Sequence, residues 1–242
     1  MINVGIQFST IQCVRSMSPA WNEAVSSMFR NFFQASQDRN ASPVHSHALP
    51  KLFLIGHNKA GTRSFHRLLR SNGYSSIHYD KGNLCKTIRA NFIFSKPLLS
   101  GIDHYCGYTD MELNGEFYGY RLFPLFDLQY PGSYFIYNYR DVDRWVDSRM
   151  RHRRGKYAES CLEKMRLELG NPDFKLDDLR ANWVEAWHQH EHDHKTYFRH
   201  KNNFFKFDIT SSVDQASLCA LLRKLGYRIK GNSLPHVGAR KA

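Results

Sequence analysis

Apolar positions along the chain fall into blocks whose spacing alternates between strand-like and helix-like. Leu52–Ile55 is a short apolar run and predicts a strand over 52–56. Phe65, Leu68 and Leu69 then share one helical face, which predicts a helix over 62–72. A short strand is expected over 75–79, then helices over 81–96 and 115–129. Ser133–Tyr139 (SYFIYNY) is aromatic-rich and reads as a buried strand, followed by a helix over Asp141–His152 with Asp141 as its cap. Helical spacing resumes over 156–169 and 177–200. A late strand covers Asn203–Phe207, and Asp214–Leu225 closes the chain as a helix with Leu218, Leu221, Leu222 and Leu225 on one side. Upstream, Trp21, Val25, Met28, Phe32 and Phe33 predict an amphipathic helix over Pro19–Ala35, and Gln37–Pro50 reads as a linker. The expected organisation is an N-terminal helix and linker over 1–50, then one α/β domain over 51–242. Its fold class is α/β: a P-loop-containing parallel sheet with helices on both faces, three layers in all. No internal repeat is present.

Between the first strand and helix, Gly56 and Gly61 bracket His57, Asn58, Lys59 and Ala60. A strand, a glycine-rich turn and a helix N-terminus together form a phosphate cradle, because unpaired N–H groups and the helix dipole both favour an anion. The loop departs from the Walker pattern, which needs Lys directly after the second glycine and then Ser or Thr for Mg²⁺. Here Thr62 follows Gly61 and Lys59 lies two positions before it. The alternative is a chance Gly-x-x-x-x-Gly turn.

A second candidate closes the strand Ser133–Tyr139. Arg140 ends it, and Ser148 lies eight residues on, in the next helix. An arginine at a strand's carboxyl end is suited to forking onto a phosphate, with a hydroxyl two turns into the helix as a further donor. Ligands of open α/β sheets bind at that end. The competing reading pairs Arg140 with Asp141 or Asp143 and leaves Ser148 on the helix surface.

Together these two motifs resemble the family of sulfotransferases that use 3′-phosphoadenosine 5′-phosphosulfate (PAPS). Gly56-x-x-Lys59-x-Gly61-Thr62-x-Ser64 is similar to the family's 5′-phosphosulfate loop. Tyr139-Arg140-Asp141 with Trp145 and Ser148 is similar to its 3′-phosphate motif. Arg63 departs from the small residue usual at its position. The resemblance spans roughly 50–238, mostly as an order of strands and helices. It implies a PAPS-dependent enzyme, of a bacterial carbohydrate type, moving a sulfuryl group to a hydroxyl acceptor. Lys59 would be catalytic. Lys59, Ala60, Gly61, Thr62, Arg63 and Ser64 would hold the 5′ end of the cofactor, and Arg140 and Ser148 the 3′-phosphate. No metal is required by such chemistry. A carbohydrate acceptor is expected on the resemblance alone.

The acceptor hydroxyl needs a proton acceptor, and His78, Asp80, Asp103, His104, Asp110 and Glu112 are candidates. Gly101–Glu112 reads as a polar–aromatic loop suited to lining a cleft. Asp110 is favoured because a similar Asp follows an aromatic stretch in some bacterial members of the family. For each candidate the alternative is a solvated loop residue.

A different chemistry is spelled by His190-Glu191-x-x-His194, a literal zinc-protease motif with His200 at the spacing of a third ligand. Against it, Tyr197 replaces the glycine of the longer motif, no Met follows Met165, and every neighbour is polar, so a solvated helix face is expected. A P-loop nucleotide kinase or other NTPase, and a binding protein without activity, are further alternatives. The net charge of +12 calls for acidic partners. Its densest cluster is Arg149–Arg154, suited to steering a nucleotide or acidic acceptor, or simply a solvated helix end. No nucleic-acid module is recognisable, and no run is long enough to span a membrane. Five dispersed cysteines without a C-x-x-C pair point to reduced thiols and a cytoplasmic setting. Arg240 and Lys241 are read either as folding over the cofactor or as a frayed end.

Overall fold

A computed structural model describes residues 49–113 and 115–237. The expected helix Pro19–Ala35, most of the linker Gln37–Pro50, and Arg240 and Lys241 lie outside the described residues. By compactness, residues 49–188 and 203–237 belong to one unit, while Gln189–Asn202 falls in another.

Five strands form one parallel sheet in the order β2-β3-β1-β6-β7. They are β1 (Leu52–Leu54), β2 (Ser76–His78), β3 (Gly107–Thr109), β6 (Tyr134–Tyr139) and β7 (Phe204–Asp208). A small antiparallel pair, β4 (Glu112–Leu113) and β5 (Phe117–Tyr118), stands apart. The α-helices are α1 (Thr62–Ser71), α2 (Asn83–Ile93), α3 (Phe123–Gln129), α4 (Val142–Met150), α5 (Lys156–Leu169), α6 (Leu176–Phe198) and α7 (Ser212–Lys224). This is the expected three-layer α/β/α architecture.

Strand alternation explains the layers. Leu52, Leu54, Ile136 and Phe207 pack with Phe65, Leu68 and Leu69 of α1 and Leu218 and Leu222 of α7. Phe53, between Leu52 and Leu54, points the other way and stacks on Tyr108, Phe135 and Phe126 at centroid distances of 5.2, 5.3 and 4.5 Å. A second apolar cluster joins Trp145 and Val146 of α4, Tyr157, Cys161 and Leu162 of α5, and Leu179, Trp183 and Trp187 of α6. None of the described helices is long and apolar enough to cross a membrane.

β1 sits between β3 and β6, with Leu52 opposite both Gly107 and Tyr134. The chain leaves β1 toward β2 and β3 on one side and returns as β6 and β7 on the other. The carboxyl ends of β1 and β6 are therefore a topological switch point, where open sheets leave a crevice for ligands.

Three expectations need correction. Gly101–Glu112 is not one loop, because Gly107–Thr109 is β3. All three of its residues are buried, and Tyr108 follows a glycine whose missing Cβ would stand 2.4 Å from Leu69. Residues 115–129 are not one helix. Gly115 takes a positive φ, Phe117–Tyr118 is β5, and the helix opens only at Phe123 with Pro124 in its first turn. The helix expected over 81–96 begins at Asn83, since Lys81 and Gly82 are left-handed.

Phe53 is fully buried and touches three aromatic rings across the sheet. Phe53→Ala should cost about 3–5 kcal/mol, read as a lowered urea midpoint. A loss under about 1 kcal/mol would mean that this face is not packed as described.

Candidate functional site

The loop after β1 is held from behind by β6 and α4. Asn138, 1 % exposed, accepts from Gly56 N at 3.0 Å and donates through Nδ2 to Ala60 O at 2.8 Å and His57 O at 3.3 Å. Trp145 Nε1 donates to Asn58 O at 2.8 Å, and Arg140 Nη1 to Lys59 O at 3.0 Å. All four carbonyls from His57 to Ala60 are thus bound by side chains of one neighbouring strand and helix. In a trans peptide the following N–H points opposite its carbonyl. A carbonyl tied back in this way leaves the following N–H free to turn outward, the arrangement an anion-binding nest uses.

The glycines are required by this geometry. A Cβ on Gly56 would lie 2.3 Å from Asn138 Oδ1. Gly61 has φ 87° and its Cβ would meet Ile209 at 2.5 Å. Lys59 itself is left-handed, with φ 65°. Gly61 is the cap of α1, with no side-chain hydrogen bond to the helix and no acid in the first turn. An anion at this N-terminus meets no competing carboxylate from the helix itself. Thr62 and Ser64 are buried beneath the loop, whereas Arg63 is exposed.

Arg140 follows β6 directly and is half-buried. Its Nε is buried and has no hydrogen-bond partner among the described residues. Burial, then Arg144 and Arg151, press against its charge, opposed by Asp141 and Asp208. The competing reading of Arg140 is not what is found. Asp141 caps α4 by accepting from Arg144 N at 3.0 Å, and Arg140 forms no ion pair among the described residues. Ser148 lies two turns into α4 and is half-buried.

Beneath the loop lies a buried charge network. Arg149, 1 % exposed, forks onto Glu112 at 3.2 and 3.0 Å and donates to Tyr157 Oη at 2.8 Å and Asn58 Oδ1 at 3.1 Å. Tyr157 in turn donates to Glu112 Oε1 at 2.6 Å. The guanidinium lies over the rings of Trp183, Trp145 and Tyr157 at 4.5, 5.0 and 5.2 Å. Burial opposes its charge, but Glu112 and the tyrosines hold its pKa above the usual arginine value. Glu112, a candidate base, is thereby committed to structure. Asn138 carried no expectation, and Arg149, expected to open a basic steering cluster or a solvated helix end, is instead buried and paired. Their signals were an amide inside an aromatic strand and a cation four residues after a tryptophan.

The remaining candidates separate by position. Asp103 lies with Lys51, just before β1, at the sheet's amino end, where Lys51 Nζ donates to its carbonyl. His104 follows it and is exposed. His78 and Asp110 end β2 and start the turn after β3, at the carboxyl end. Asp110 has φ 58°. Burial and Glu112 push its carboxyl up to about 7, opposed by Arg149, Lys59 and Arg63, so the cationic loop residues reach it electrostatically. His78 Nε2 lies 3.6 Å from Asp110 Oδ2. Burial, then His66 and Arg63, push His78 down to about 4, so at neutral pH this approach is not a full ion pair. Asp80 sits in a left-handed turn and is exposed.

One contact was not foreseen: Lys59 Nζ stands 3.3 Å from His152 Nδ1. Burial, Lys59 and three arginines push this imidazole down to about 4, leaving it a neutral acceptor for the ammonium.

The His190-Glu191-x-x-His194 segment does lie on α6, but it is not a solvated face. His190 and His194 are fully buried with Asp193 at 4 %, and their rings are 5.5 Å apart. His200 is exposed and lies past the helix end. Among the described residues no three His, Cys, Asp or Glu side chains gather as a metal site.

No protein-family model matches the chain, and no curated protein matches it.

Removing the Asn138 amide leaves Gly56 N and two carbonyls without it. Asn138→Ala should cost about 2–4 kcal/mol in urea unfolding. Asn138→Asp, which keeps the Gly56 acceptor but turns oxygen toward two carbonyls, should be no better. An Asn138→Asp protein as stable as wild type would contradict the stitched loop.

Asp110 also links stability to pH. A carboxyl raised to about 7 binds more protons folded than unfolded between about 4 and 7, so its contribution declines as pH rises through that window. His78, lowered to about 4, acts with the opposite sign between about 4 and 6.5. Asp110→Asn should therefore gain stability relative to wild type as pH rises from 5 to 8, measured by urea unfolding at each pH. A difference independent of pH would show that Asp110 titrates normally.

Proposed function

We propose that this protein is a PAPS-dependent sulfotransferase acting on a hydroxyl acceptor, most simply a carbohydrate. The observation that carries the reading is the bond from Arg140 to the Lys59 carbonyl, 3.0 Å long. It couples the end of β6 to a glycine loop whose other carbonyls are also tied back, which supports reading the ends of β1 and β6 as parts of one anion site. The residues fit the cofactor: a helix N-terminus without a side-chain cap suits a 5′-phosphosulfate, and a guanidinium whose buried Nε has no hydrogen-bond partner among the described residues suits a second phosphate.

PAPS, when bound, supplies the sulfuryl group. Lys59, with the loop and the first turn of α1 through Thr62, Arg63 and Ser64, would oppose the negative charge that grows on the departing phosphate oxygen. Arg140 and Ser148 would hold the 3′-phosphate. Asp110, at the carboxyl end of β3, would take the proton of the acceptor hydroxyl. A carboxyl poised near neutral pH suits that task. The four described cysteines are free thiols, which supports a reducing compartment such as the cytoplasm.

Adenosine 3′,5′-bisphosphate at saturation should raise the melting temperature by about 5 °C or more, by mass action on the folded state. ATP with Mg²⁺ should not match it. Lys59→Ala should keep most of that shift while losing sulfuryl transfer. A wild type stabilised by ATP–Mg²⁺ but not by the bisphosphate would refute the reading in favour of a nucleotide kinase.

A further inference from the structure

Resting on that reading, we infer that the acceptor is an acidic saccharide, recognised by the turn His152–Gly155 through a carboxylate or sulfate near the accepting hydroxyl. The turn is anchored at the transferring end of the site, because His152 touches Lys59 at 3.3 Å. The next two residues, Arg153 and Arg154, are both exposed and both left-handed, with φ 53° and 60°. Two consecutive non-glycine residues in this region are costly, and such conformations persist where the surroundings impose them, often at ligand sites. Here Gly155, with φ 90°, completes the reversal and caps α5.

The charge on this turn is not consumed elsewhere. Arg63, Arg153 and Arg154 form no ion pair among the described residues. Of the neighbouring acids, Asp141 caps α4 and Asp147 pairs with Arg180 at 2.8 Å and Arg151 at 3.8 Å, while Glu159, beside Gly155 in the first turn of α5, forms no ion pair with Arg153 or Arg154 among the described residues. Nor does the cofactor account for it. Its two anionic ends fall to the Lys59 loop and to Arg140, whereas Arg153 and Arg154 follow α4 on the Lys59 side. Uncompensated like charges beside a catalytic lysine repel one another. An anionic group on the acceptor relieves that repulsion. A neutral acceptor leaves three arginines facing water at the point where a hydroxyl must dock. Arginine is also the cation whose planar fork matches a carboxylate or sulfate.

The test uses the full chain with saturating adenosine 3′,5′-bisphosphate and three fluorescent dextran oligosaccharides of one length: neutral, carboxymethylated and sulfated. Binding is read by anisotropy for wild type and three double variants. Arg153→Ala with Arg154→Ala should weaken the anionic probes roughly tenfold and leave the neutral one unchanged. Arg153→Lys with Arg154→Lys should retain most of the binding. Arg67→Ala with Arg70→Ala, which removes the same charge from exposed positions of α1, should change it less than about twofold. Melting of each variant without ligand reports whether it is folded, and the lysine pair keeps the comparison valid if the alanine pair is not. Equal losses in the Arg153/Arg154 and Arg67/Arg70 alanine variants would show general charge attraction and overturn the inference, as would tighter binding of the neutral probe. A wild type that ignores the bisphosphate yet binds anionic dextran through Arg153 and Arg154 would defeat the sulfotransferase reading and leave the acidic-saccharide site standing.

Discussion

Asn138 is the residue on which the loop depends. A single buried amide satisfies one N–H and two carbonyls of the glycine loop. Buried backbone groups left without partners cost about 1–3 kcal/mol each, so the side chain that β6 supplies here, with Trp145 and Arg140 beside it, holds the loop in shape. The register Leu54–Ile136 brings Asn138 level with Gly56, and Gly56 must lack a Cβ for the amide to arrive. Sheet pairing, loop shape and glycine choice are therefore one constraint. Arg140, two residues on along the same strand, is delivered to the loop by the same register.

Behind the loop, the Arg149–Glu112 pair adds rigidity at a price in desolvation. Buried ion pairs are often no better for stability than apolar replacements, but losing one partner is severe. Here the pair is supported by Tyr157, three aromatic rings and Asn58. It ties β4, α4 and α5 to the turn that carries Lys59. The resulting arrangement has buried, paired support on one side of the loop and exposed, charged side chains such as Arg63, Arg153 and Arg154 beyond it. The proposed transfer would use both, a fixed anion site and an open approach for the acceptor.

Much of the fold was legible because its signals are periodic. The leucines of α1 and α7 and the aromatic run of β6 mark their elements without help from context. β3 was hidden because three residues, one of them glycine, carry almost no alternation; its partner Leu69 on α1 explains that glycine only once the sheet exists. Lys59 and Arg140 were readable as local motifs, yet their contact joins residues 81 positions apart, and no local pattern encodes it. His152 was passed over because the basic run around it resembles a solvated helix end. Its contact with Lys59 joins residues 93 positions apart, and no local pattern encodes it. Histidines 190 and 194 mislead in the opposite sense. Their polar neighbours suggest exposure, but the two rings are fully buried.

The central claim is that one ligand carrying two separated phosphates bridges the ends of β1 and β6. Calorimetric titration of adenosine 3′,5′-bisphosphate and adenosine 5′-monophosphate, into wild type and Arg140→Ala, tests it most directly. The account predicts that the 3′-phosphate improves affinity by about tenfold or more in wild type, and that the advantage disappears in Arg140→Ala while 5′-monophosphate binding changes little. Equal affinities for the two nucleotides in wild type, or an advantage that survives loss of Arg140, would contradict it.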